Sequence, residues 1–397
     1  MEDRGFDLEG RLDALDDGRR RRLSPTDRVA ERAYFAPPPN GGLPVLDADN
    51  ALVFASNNYL GLTTDQRVQN AARSAAATVG TGSGSPRHVA GDTMVHHDLE
   101  RLLAETTGTQ RALTFPSRYG ATIGVFTALE PDVVFVDECA HESIVDGCHL
   151  SGATVCTYGH CDVPNLRAEM ADRADGNGPE SWLIVTESVY PTNGKVAPVE
   201  TIRAAAEEFG AWVLVDETHA IGLYSSGGGI VQAETVDAHV QVGGFGCALA
   251  SQGGYVAGGP SLIECLINDA RPFIASSGLA PPAATAASEA LHLARHGEAR
   301  EALWENVAHL RDGLETLDFE VCGNSHVLPV RTDSYERAVE IVTAMRERDV
   351  VVAPVEHATT DGTRCAVRVT PMANHSEGDV VTCLEAFQDV GEELGLL

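Results

Sequence analysis

Between Asn57 and about Pro282, short β-branched runs alternate with stretches of helical spacing. The strand candidates are Ala112–Phe115, Val133–Val136, Thr154–Tyr158, Trp182–Thr186, Trp212–Val215 and Val240–Gly243. Between them, segments such as Glu200–Phe209 place Ile202, Ala205, Ala206 and Phe209 on one helical face. Strands that alternate with helices predict βαβ units and a mostly parallel sheet, the α/β class. Ligand sites in such sheets lie beyond the carboxyl ends of the strands. The polar segments Asp137 to His141, Glu187 to Asn193 and Asp216 to His219 fall there. After Pro281-Pro282 the pattern changes to two long helices (Ala283–Arg295 and Arg300–Leu317), then strands and a helix (Ser334–Glu347), a strand (Ala366–Thr370) and a terminal helix from Glu377. This predicts a smaller α+β domain. The opening residues read as a helix (Leu8 to Leu15), an arginine run (Arg19 to Arg22) and an arm with Pro37-Pro38-Pro39 and Gly41-Gly42. The expected division is 1–50 for helix and arm, 51–282 for the large α/β domain and 283–397 for the small one.

Charge changes the picture of partners. Fifty-eight acids against twenty-eight lysines and arginines give a net charge of −30, and Lys195 is the only lysine. Such a surface repels phosphate backbones and anionic lipid, which argues against nucleic-acid and membrane partners. The excess of acids is that of a protein adapted to high salt, where screening confines carboxylate repulsion to short range; a G+C-rich genome would explain the missing lysines but not the added acids. No apolar run approaches the roughly 18 residues of a membrane span. The charged opening Met1-Glu2-Asp3-Arg4 has no apolar stretch behind it, and the expected location is cytoplasmic.

Nine cysteines without a CxxC pair predict buried thiols rather than disulfides. Cys148, His149, Cys156, His160 and Cys161 lack paired ligand spacing, and Cys156 falls in a strand, so no metal site is expected.

The most informative segment is Val213-Leu214-Val215-Asp216-Glu217-Thr218-His219, an apolar run ending in an acid with a histidine three residues on. A carboxylate buried at a strand end needs a cationic partner. A protonated pyridine nitrogen is one; a metal, or a helix to be capped, would serve the pattern as well. It stands among Asn57-Asn58-Tyr59-Leu60-Gly61, Gly80-Thr81-Gly82-Ser83-Gly84, His88 with Gly91, His141-Glu142-Ser143, Gly253-Gly254-Tyr255, Pro281-Pro282 and Arg368-Val369-Thr370-Pro371. With these motifs in this order the chain resembles, over nearly its full length, the α-oxoamine synthases, and among them those of biotin synthesis.

The resemblance implies a fold-type I pyridoxal-phosphate (PLP) transferase with a mostly parallel seven-stranded sheet and a smaller α+β C-terminal domain. It implies an acyltransferase that joins an acyl thioester to an amino acid with loss of CO₂. His141 would stack on the pyridine ring, Asp216 would pair with its nitrogen and His219 would touch its 3′-oxygen. Tyr119 and nearby backbone would flank the phosphate, together with position 244 and with Ser277 reaching across from a second subunit. Asn57 and Arg368 would hold the substrate carboxylate, Arg368 through its two-pronged fork.

The pattern breaks at the lysine that carries the cofactor. The family reads roughly Gly-Thr-Phe-Gly/Ser-Lys-Ala-Leu, whereas this chain reads Gly243-Gly244-Phe245-Gly246-Cys247-Ala248-Leu249, with Ser251-Gln252-Gly253-Gly254 fixing the register. Cys247 stands at the lysine position and Gly244 at that of a phosphate-binding threonine. Arg118 replaces the glycine of the Ser-Gly-Tyr/Phe turn, and Pro191 replaces a serine. A thiol forms no imine, although a thiolate adds to aldehydes and accepts protons. Lys195, beyond the Asn193-Gly194 turn, is the sole alternative amine. Three readings follow: a non-catalytic paralogue, as a homodimer or as the partner of a lysine-bearing paralogue; a binding module without turnover; or an enzyme with altered chemistry at Cys247.

Overall fold

The computed structural model describes residues 5–15, 21, 23–37, 45–174, 180–359 and 362–397. Most of the arginine run (all but Arg21), Pro38-Pro39 and Gly41-Gly42 lie outside them. Seven strands form the main sheet: β1 (Arg111–Phe115), β2 (Val133–Asp137), β3 (Thr154–Tyr158), β4 (Trp182–Glu187), β5 (Trp212–Asp216), β6 (Val240–Gly244) and β7 (Gly254–Gly258). Their spatial order is β1-β7-β6-β5-β4-β2-β3. Only β7 runs against its neighbours β1 and β6. The six strands expected from β-branched runs are all present, most of them one residue longer than expected. β7 is additional. It follows β6 too closely for a parallel crossover, which takes a dozen residues or more, so it returns antiparallel.

The alternation along each strand feeds two cores. Val133, Phe135, Ile184, Val213 and Val215 pack on one face, and Val134, Val136, Leu183, Val185 and Leu214 on the other. A parallel sheet covered on both sides needs such doubly apolar strands. Three strands end in acids: Asp137 on β2, Glu187 on β4 and Asp216 on β5. In the β4–β5 ladder Glu187 lies directly opposite Asp216, which brings two buried carboxyls side by side.

Two helices bring further polar groups to this edge. α1 (Arg118–Leu129) starts three residues after β1, its N-cap Ser117 accepting from the Gly120 amide at 3.0 Å. α2 (Glu142–Ser151) is capped by His141, whose Nδ1 accepts from the Ser143 amide. β7 and the start of α1 approach so closely that a Cβ on Gly254 would sit 2.5 Å from Arg118 Cα.

Beyond Ala280 come the helices Pro281–His296 and Glu298–Thr316 and a small antiparallel sheet of β8 (Leu328–Thr332), β9 (Ala353–Thr359) and β10 (Gly362–Val369), ordered β8-β10-β9. Helices Tyr335–Arg346 and Glu377–Leu394 complete this part. A three-stranded ribbon pairs Ala51–Val53 with Arg32–Ala33 and, in parallel, with Val350–Val351. Among the described residues no helix is long and apolar enough to cross a membrane.

Candidate active site

Asp216 does have a cationic partner, and it comes from the chain itself. Arg118 directs its guanidinium onto Asp216 Oδ2, with Nε at 2.8 Å and Nη2 also bonded to the same oxygen. Nη2 lies 3.5 Å from Glu187 as well. The other oxygen of Asp216 accepts from the Thr218 amide at 2.9 Å. Burial raises Glu187 above the ordinary carboxyl range, against the lowering pull of Arg118. Two acids facing one guanidinium therefore favour one carboxylate and one protonated carboxyl. Glu187 also accepts from the His141 amide at 2.8 Å, which ties α2 to the triad.

The position of Arg118 needs this compensation. It is the first residue of α1, where the helix dipole disfavours a cation. Its side chain is only 12% exposed. Gly244, at the end of β6, gives it room: a Cβ there would lie 3.2 Å from Arg118 Cβ and 3.1 Å from Thr218 Cγ2.

Around the triad the structure gathers His141, His219 and Cys247. Cys247 Sγ is 3.9 Å from His219 Nδ1, and the Tyr59 hydroxyl is 2.9 Å from the same nitrogen. The hydroxyl also reaches Asn57 Oδ1 at 3.3 Å. Burial, then Arg118, depresses His141 to about 4. Burial first, then the charge of Arg118, pushes His219 well below its ordinary value, so both imidazoles are neutral. Burial pushes the Cys247 thiol up to about 12. At neutral pH its thiolate population is on the order of 10⁻⁵, far below what a nucleophile or base requires. The positive charge of Arg368 is felt at Tyr59, His219 and Cys247, and its buried Nε has no hydrogen-bond partner among the described residues.

Sequence reasoning left out three members of this cluster. Glu187 was legible only as part of a polar strand end, and Tyr59 only as part of a motif. His326 gave no signal. It is fully buried, both ring nitrogens lack hydrogen-bond partners among the described residues, and it packs edge-on to Tyr59 with centroids 4.3 Å apart.

Other expected positions lie apart. Tyr119 is exposed, its hydroxyl donating to Asp146 on α2. Ser277 is exposed beside the Gly80–Gly84 loop, where Ser83 Oγ donates to the Gly278 carbonyl at 2.6 Å. Pro191 sits in the turn between the bridged residues Val189 and Val196. Lys195 donates to the His160 carbonyl at 3.3 Å, and its charge acts on Cys139 and Cys161. Asp137, Cys139 and His160 cluster closely enough to share an ion. Both His160 nitrogens are nevertheless engaged, with Asp137 at 2.9 Å and Asn193 at 2.9 Å, and burial first raises both Cys139 and Cys161 to about 12. The group is a hydrogen-bonded knot.

PLP, the cofactor the resemblance implies, does not fit the residues as they stand. Asp216, the acid that the resemblance assigns to its ring nitrogen, is held by Arg118. A neutral thiol faces His219 at the position where the resemblance expects an amine, and position 244 offers no side chain. Arg118 is rooted in the first turn of α1, the element that the resemblance sets beside the phosphate.

A family model for aminotransferases of class I and II matches residues 49–387. The chain is 36% identical over 366 residues to the 8-amino-7-oxononanoate synthase of Geobacter sulfurreducens, covering 90% of this chain and 93% of that one. It is 35% identical over 396 residues to the enzyme of the same name from Stutzerimonas stutzeri, covering 97% and 96%. Among solved structures, a lysine-to-alanine variant of serine palmitoyltransferase from S. paucimobilis, with a bound PLP–myriocin aldimine, superposes with a TM-score of 0.86 at 26% identity, covering 94% of both chains. The Sphingomonas wittichii serine palmitoyltransferase gives 0.83 at 27% identity, covering 89% and 90%. PLP is thus the cofactor of the structural neighbours. The chain belongs to the aminotransferase class I and II family, as a fold-type I member of its α-oxoamine synthase branch.

Proposed function

We propose that this chain is a non-catalytic, 8-amino-7-oxononanoate synthase-like protein of the cytoplasm that acts as one subunit of a dimer, with a lysine-bearing paralogue as its partner. The reading rests on Cys247: a buried, neutral thiol facing His219 where the family's lysine register falls. No imine forms on sulfur, and a thiol ionised on the order of once in 10⁵ molecules does not replace a lysine base. Altered chemistry at Cys247 is disfavoured for the same reason. The exposed placement of Ser277 supports a partner, since the resemblance has this residue reaching across from a second subunit.

Purified protein supplied with PLP, pimeloyl-CoA and L-alanine should release no CoA above background, and co-expressed paralogue should co-purify with it. Turnover within tenfold of an ordinary family enzyme would defeat the non-catalytic reading. If the paralogue does not co-purify and its activity is unchanged, the heterodimer idea fails. A homodimeric ligand-binding protein would then take its place, a reading favoured by Arg368 Nε and the His326 nitrogens, buried without hydrogen-bond partners among the described residues.

A further inference from the structure

We infer that Arg118 is a built-in surrogate for the cofactor's ring: its guanidinium supplies the cation that Asp216 requires and closes the site to PLP. The inference deepens the non-catalytic reading and rests on it, adding which group fills the site and what must be removed to reopen it.

Three observations carry it. Arg118 makes two hydrogen bonds to Asp216 Oδ2 and a longer contact to Glu187, so a planar cation already lies against the acid that would receive a pyridinium nitrogen. An arginine fork is suited to such a carboxylate, and the pair is buried, where displacement leaves a costly unpaired charge. The second observation is steric. Arg118 Cβ and a side chain at 244 would compete for one volume, their Cβ atoms 3.2 Å apart. The arginine gained at 118 and the side chain lost at 244 are therefore complementary changes, made at two points of one wall. Third, the helix end and the imidazoles beside Arg118 disfavour a cation there. α1 presents its positive end, and the nearby imidazoles of His141 and His219 are depressed first by burial and then by the same charge. Glu187 and Asp216, placed opposite each other by the β4–β5 register, are what hold it.

The surrogate preserves what the ring would otherwise do for the fold. Two strand-end acids are neutralised, and Glu187 continues to hold the His141 amide. A chain of this kind keeps the architecture of a loaded subunit without loading.

The test is equilibrium dialysis of the full chain against PLP in molar KCl, with bound cofactor read by absorbance, for the wild type, Arg118→Gly and Arg118→Met. Removing the arginine frees Asp216 for a charge-assisted bond, so Arg118→Gly should bind about 10- to 100-fold more tightly than the wild type. Arg118→Met, which removes the charge but keeps a stem in the pocket, should fall between them. PLP should also raise the melting temperature of Arg118→Gly and leave that of the wild type unmoved. Wild-type affinity within threefold of Arg118→Gly would overturn the inference. If neither variant folds, the wild-type titration decides alone: one PLP per chain bound at micromolar concentration refutes the surrogate, and no saturable binding supports it. Wild-type binding without CoA release would sink the surrogate and spare the non-catalytic reading. CoA release without measurable PLP binding would sink only that reading.

Discussion

Arg118→Met should unfold at lower temperature, by an amount that grows with pH. The substitution leaves Glu187 and Asp216 opposite each other, buried and without their cation. Breaking a buried ion pair from one side costs about 3–5 kcal/mol. For the 397 residues of the chain, an unfolding entropy of about 2.1 cal/mol/K per residue gives about 0.8 kcal/mol/K, so the melting point should fall by about 4–6 °C. The sign of the pH effect follows from proton linkage. Glu187 is raised already with Arg118 present; without the guanidinium the remaining buried negative charge of the pair loses its cation, so the folded variant takes up a further proton. Relative stability is then retained near the unfolded carboxyl pKa and lost as pH rises toward the raised one. The deficit should therefore be smallest near pH 5 and widen by up to about 1.4 kcal/mol per pH unit above it. Scanning calorimetry of both proteins between pH 5 and 8, in molar KCl to suppress surface repulsion, measures this directly. A shift under about 1 °C at pH 7.5, or one independent of pH, would refute the claim that Arg118 balances the buried charge of the Glu187–Asp216 pair.

Cys247 should react with iodoacetamide at pH 8 at least about 100-fold more slowly than in the denatured chain, since its thiol is buried and titrates near 12; comparable rates by peptide mapping would contradict the site geometry. Glu217 is raised to about 7, by burial and against hydrogen bonds from the Val231 amide, Ser188 and the Ile230 amide. As a raised acid it contributes stability at low pH that is lost as pH climbs to about 7, up to about 3 kcal/mol, and Glu217→Gln should remove that slope from the melting curve. With a net charge of −30, the chain should sediment as a dimer in molar KCl and dissociate as salt is withdrawn toward about 0.1 M; an unchanged mass across that range would show that charge repulsion does not govern assembly.

The parts of this protein that were legible in its sequence are those written in periodicity. Six strands of the main sheet announce themselves as β-branched runs, the inner ones because both faces are covered. Asp216 and His219 announce themselves because polar residues closing such runs have few reasons to be there. β7 was not legible as a strand: two of its five residues are glycine, and the preceding Gly253 has φ +119°. Its composition reflects the near contact of Gly254 with Arg118, which only the assembled sheet creates. The partner of Asp216 shows the same limit. Arg118 was visible as a misplaced residue in a turn, but 98 positions separate it from the acid it meets. His326 is beyond pattern reading altogether, because a buried imidazole is defined by its neighbours and nothing in its local sequence demands one.

The pairing of Val350–Val351 with Ala51–Val53 has a consequence for biosynthesis. Leu52 hydrogen-bonds to the Asp349 carbonyl, and Phe54 both donates to Val351 and accepts from Thr370. An apolar segment made early in translation thus finds its parallel partner only about 300 residues later. At about 5–20 residues per second, the growing polypeptide carries that edge uncovered for roughly 15–60 s. The nascent chain is then a client for whatever shields open strands on the ribosome. A slower ribosome, or a truncation before Val350, would lengthen or perpetuate that exposure and turn folding yield into a matter of timing.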